Sequence, residues 1–180
     1  MQDMKSMKDR MRPGLFPAAV LVLALGAGLV VAPRPVAAAP AALKATGRQA
    51  LVICARNAPR LRPTKRWLEK RGLRPSGQEE GYLLYARDDK AIVLGIRSSG
   101  CIVGIRNLGR REATAMARSV AGALGLGRRA RNAGHTIAHW RGRYRGRSAH
   151  VKAYSDSGVD YLGRSAAVEV IVVRNPFGDY

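Results

Sequence analysis

The chain has 180 residues and carries 32 Lys and Arg against 12 Asp and Glu, a formal net charge of +20. Two cysteines are too few for a disulfide-dense scaffold, and 47% hydrophobic residues is too many for a disordered chain. The basic excess fits a surface that holds polyanions, and it fits equally the arginine bias of a GC-rich genome.

At the N-terminus, Lys5, Lys8, Arg10 and Arg12 precede an uncharged run from Leu15 to Ala32, ended by Pro33, Arg34 and Pro35. Val36-Ala37-Ala38-Ala39 then offers the small residues a signal peptidase accepts, with cleavage favoured after Ala38. With no twin arginine and no cysteine at that point, neither the twin-arginine route nor a lipoprotein is indicated. Residues 1–39 therefore read as a signal peptide. The alternative is an uncleaved N-terminal membrane anchor, because the apolar run is just long enough to span a bilayer. Either way residues 40–180 form a single small exported domain, periplasmic or secreted, or held outside the inner membrane by the anchor. Beyond the export segment, residues 39–180 keep 27 basic against 10 acidic residues, a net +17.

The Ala/Pro-rich stretch 33–45 predicts a flexible tether. Ala50, Leu51, Ile53, Cys54 and Asn57 have helical spacing up to Pro59. A second helix is predicted from Thr64, as N-cap, to Arg71, with Trp67 and Leu68 inward and Gly72 closing it. Residues 81–87, 91–97 and 101–107 read as strands, joined by turns at Asp88-Asp89-Lys90 and Ser98-Ser99-Gly100. Ala113, Met116, Ala117, Val120, Ala121 and Leu124 give an apolar stripe that Gly125 ends, with Arg110, Arg111 and Arg118 outside it. Three more strands are predicted at 134–140, 148–155 and 166–174. The fold class that follows is α+β: two layers, an antiparallel sheet of about six strands in the order helix-βββ-helix-βββ, covered by amphipathic helices. Segments 46–107 and 109–174 share one order of elements without a residue-level repeat, which suggests duplication.

Cys54 and Cys101 are the only cysteines, and an even count in an exported domain predicts a disulfide between them. His135, His139 and His150 do not form a metal set on this reading: in a strand the first two stand about 13 Å apart, at about 3.3 Å per residue. Pairing of Trp140 near Ser148 would turn His150 to the other face. Arg141, Arg143, Tyr144, Arg145 and Arg147 form the densest basic segment, following Trp140. They are the candidate polyanion-binding residues, and the plainer alternative is a solvated hairpin tip.

No nucleophile elbow, phosphate loop, calcium loop or cofactor motif stands in the chain, so no catalytic residue, metal or cofactor is expected. The sequence reads as an exported envelope protein with a binding or structural role rather than an enzyme. The partners implied are anionic lipid, lipopolysaccharide or cell-wall polymer, with membrane contact only through an uncleaved N-terminal segment. The alternatives are a membrane-tethered nucleic-acid-binding protein and a hydrolase with an unrecognised site.

Overall fold

The computed structural model describes residues 39–158, 162 and 165–173, so the segment 1–39, expected to be a signal peptide or anchor, lies outside the described residues apart from Ala39. Among the described residues no helix is long and apolar enough to cross a membrane. Helices α1 (Ala41–Asn57) and α2 (Leu61–Glu69) lead into strands β1 (Arg74–Glu79), β2 (Tyr82–Ala86), β3 (Ile92–Arg97) and β4 (Gly100–Ile105). Helix α3 (Arg110–Ala123) follows, then β5 (Arg128–Arg129), β6 (Thr136–Tyr144), β7 (Arg147–Tyr154) and β8 (Ala167–Val173).

All eight strands join one antiparallel sheet in the order β1-β2-β3-β4-β8-β7-β6-β5. The class is α+β as expected, with eight strands where six are legible. Each half runs a helix into a four-stranded meander, and the halves meet where β4 pairs with β8. Directly paired residues share a face and neighbours along a strand alternate. Ile92, Leu94, Cys101, Val103, Val168, Val170 and Val151 therefore line one face, in a single core cluster with Leu51 of α1 and Ala117 and Val120 of α3. The close approach of α1 requires Gly47, where a Cβ would meet Val103 Cγ1 at 2.9 Å.

Several boundaries differ from the sequence reading. The tether expected over 33–45 is helical from Ala41, because Leu43 and Ala50 are buried and draw the Ala-rich segment onto the core. Thr64 is not an N-cap: α2 begins at Leu61, and Thr64 is buried inside it, accepting a hydrogen bond from Asn57 Nδ2. Leu68 is fully buried while Trp67 is only half-buried. The loop expected at 141–147 contracts to Arg145-Gly146, both with positive φ (51° and 76°), as a two-residue hairpin turn requires. Strand β6 therefore runs longer than expected, and β7 starts one residue earlier. Strand β1 is exposed throughout and β5 has two residues, so neither carries an apolar pattern.

Cys54 on α1 and Cys101 on β4 form the expected disulfide, with Cα atoms 6.2 Å apart. Both are buried at the helix–sheet interface, so the bond ties α1 to a central strand. It closes a sequence separation of 47 residues, for which the chain-entropy argument gives about 4 kcal/mol. Replacing both cysteines by alanine should lower stability by about that amount in urea denaturation of the oxidised proteins. An unchanged midpoint would mean that the helix–sheet packing holds α1 without the bond.

Candidate functional site: arginine clefts and a buried carboxylate

The sheet face opposite the helices carries a small apolar cluster of Ala86, Val93 and Leu162 and, beside it, a polar one. Tyr82, Arg97, Ile102, Glu169, Lys152 and Tyr154 share it by register, together with His139, His150, Arg141 and Arg143. Glu169 is buried at 5% exposure. Its Oε1 accepts from Tyr82 Oη at 2.5 Å and from Arg97 Nη2 at 3.1 Å, and its Oε2 accepts from Tyr154 Oη at 2.6 Å. Burial, and then the hydrogen bond to Glu169, push both phenols well above their ordinary range. The Arg97 guanidinium lies over the Tyr82 ring at 4.4 Å, and its buried Nε has no hydrogen-bond partner among the described residues. A cavity of about 600 Å³ stands over this cluster, with His135, Lys152 and Asp156 at its walls.

His139 and His150 are brought together, against expectation. The tight turn sets Trp140 opposite Val151, so both rings stand on this face, with Nε2 of His139 3.0 Å from Nδ1 of His150. Burial is the first cause that holds each imidazole below its ordinary pKa, so the pair is neutral at pH 7. Lys152 and Arg141 also lower both values, and they would repel a metal cation from the pair. Among the described residues no group of three or more His, Cys, Asp and Glu side chains could hold a metal ion.

The five basic-segment residues divide between the two sides. Arg141 and Arg143 point from β6 to the sheet's open face. Tyr144 packs against the core on the helix side. Arg147 donates from Nη1 to the Ala58 carbonyl at 2.6 Å, and Arg145 sits in the turn. Tyr144, Arg145 and Arg147 thereby meet the α1–α2 corner across a cleft of about 430 Å³, whose other charged walls are Arg56 and Arg60.

Two further clefts adjoin this one. Arg56 also lines a space of about 430 Å³ with Arg48, Arg71, Val52, Ile53 and Trp67. Arg60 and Trp67 continue along α2 into a third of about 580 Å³, with Leu61, Arg62, Arg66 and Lys70. Among the described residues, every charged residue lining the three clefts is basic. The sequence reading found local charge density at 141–147 but not this convergence, which joins segments about ninety residues apart. It missed Glu169 as well, although one acid in the β-branched run 166–174 was the available signal.

No protein-family model, curated protein or solved structure matches the chain. Function must therefore be argued from the arrangement itself.

Glu169→Gln removes the buried charge and sets an amide N–H against a tyrosine hydroxyl. It should cost about 2–4 kcal/mol in urea denaturation at pH 7, with Tyr154→Phe costing about 1–2. Wild-type stability in Glu169→Gln would show that the cluster does not hold the sheet.

Proposed function

We propose that the chain is an exported envelope protein whose folded domain binds anionic envelope material through the arginine clefts of its helix side. The observation that carries this reading is the lining charge: cations from α1, α2 and the β6–β7 turn converge, with no acid among the described residues of the three walls. Guanidinium groups hold phosphate, sulfate and carboxylate with paired donors. Lipid headgroups, lipopolysaccharide and acidic cell-wall polymers all present those groups. The disulfide supports an oxidising compartment, and the basic, apolar and small-residue segments in order through residues 5–39 support export.

Two other readings find less support. A hydrolase could use the cavity over Glu169, but the carboxylate already accepts from three donors, which fixes it as a structural acceptor. Nucleic-acid binding would want a ring beside the cations on which bases stack. Tyr144 and Trp67 do line the clefts, but each ring already carries a guanidinium over it, Arg145 at 5.5 Å and Arg71 at 4.8 Å, where a base would stack.

Binding to long-chain inorganic polyphosphate, measured over a series of salt concentrations, tests the reading. Arg56→Ser with Arg60→Ser and Arg145→Ser should reduce the slope of log K against log salt by about 2. Arg147 is left intact because it ties the turn to Ala58. The matched control, Arg128→Ser with Arg141→Ser and Arg143→Ser on the open sheet face, should leave the slope nearly unchanged. Equal loss in both variants would show diffuse charge with no site. Tighter binding to a single-stranded oligonucleotide than to polyphosphate of equal charge would favour the nucleic-acid reading instead.

A further inference from the structure

We infer that α2 is a membrane-docking helix that seats on an anionic lipid surface, with Trp67 at headgroup level. For its charge component the inference rests on the anion-binding reading above; its apolar component rests on separate observations. Thr64 and Leu68, one turn apart, are buried at 2% and 0% and fix α2 to the fold. The opposite side carries Arg62 and Arg66, both exposed, and Lys70 follows at the helix end. Trp67 stands between these faces as the ridge shared by two clefts: the one along α2 with Leu61 and Pro63, and the one toward α1 with Val52 and Ile53. The Arg71 guanidinium lies over its ring at 4.8 Å and donates to Gln49 Oε1 on α1, so the ring is held at the surface between the helices.

This surface is an apolar strip edged with cations. Glu69 is the one acid within α2, and it lines neither cleft. A short basic helix with Trp and Leu beside its charged face is what binds in the interfacial plane of a bilayer. The rings enter the headgroup layer while arginine and lysine stems lie along the acyl boundary with their charges in water. Each such cation near an anionic leaflet contributes on the order of 1 kcal/mol. A soluble polymer would engage the arginines without drawing Trp67 and Leu61 out of water. The lipid surface uses both components, and that selects it as the occupant.

The full chain carrying Trp140→Phe leaves Trp67 as its one tryptophan, because the sequence has two. It is added to vesicles of phosphatidylcholine alone, or of phosphatidylcholine with phosphatidylglycerol, and Trp67 emission and its quenching by brominated lipid are recorded. This readout follows α2 even if the apolar N-terminal run inserts in both kinds of vesicle. Emission should shift to the blue and be quenched on phosphatidylglycerol vesicles, and stay as in buffer on phosphatidylcholine. Arg62→Ser with Arg66→Ser and Lys70→Ser should raise the lipid needed for half the signal by about a hundredfold, with an unchanged thermal midpoint. An unmoved Trp67 on anionic vesicles, with polyphosphate binding intact, overturns the docking and leaves the anion reading standing. If polyphosphate binding is absent too, both fall. An equal shift on both vesicles overturns the charge-led docking.

Discussion

A carboxylate below the surface of a sheet is tolerable only where donors replace its lost water. Among the described residues Glu169 is the one buried charge, and the donors around it come from both halves of the chain. Tyr82 and Arg97 reach it from β2 and β3, Tyr154 from β7. Because β8 pairs with β4 where the two meanders meet, this cluster spans the central seam of the sheet. It fixes the open face just as the disulfide and the apolar core fix the other. The acids elsewhere serve similar local ends. Glu112 accepts from the Gly109 amide at the start of α3 and pairs with Lys44, and Asp89 pairs with Arg87 in the β2–β3 turn.

That allocation gives the charge imbalance a geometry. In a chain with 32 basic and 12 acidic residues, the acids with clear structural roles lie at the sheet face, a helix start and a turn. Between the α1–α2 corner and the β6–β7 turn, arginines are the only charged residues among the described lining. An arginine excess that arose from codon bias would scatter over the surface, as Arg110, Arg111 and Arg118 do on α3. The adjoining clefts are a stronger statement than the total charge, because cations from α1, α2 and the β6–β7 turn meet across them with no acid among the described lining residues.

What could be read from the sequence was whatever local pattern controls. The three hairpin strands from Tyr82 to Ile105 are short apolar runs punctuated by turns, and α3 has a full apolar stripe ended by Gly125, which takes φ 68°. The Cys54–Cys101 bond followed from count and compartment. The rest depended on contacts between distant segments. Arg74–Glu79 holds Pro75 and Gly77 and buries nothing, so only pairing with β2 makes it a strand. Arg145-Gly146 lacks the usual Asn-Gly signature, so nothing local marks where β6 ends, and the register that brings His139 to His150 is not legible in the sequence. The clefts were hidden for the same reason, since Arg56 and Arg60 meet Arg145 and Arg147 only after the sheet has formed.

Hydrogen–deuterium exchange with and without polyphosphate maps the occupied surface without altering any residue. If the arginine clefts are the binding surface, amides in segments 55–71 and 144–147 should gain protection, while 128–143 and 152 on the open face should not. Protection confined to the open face, or spread evenly over the chain, would contradict the account.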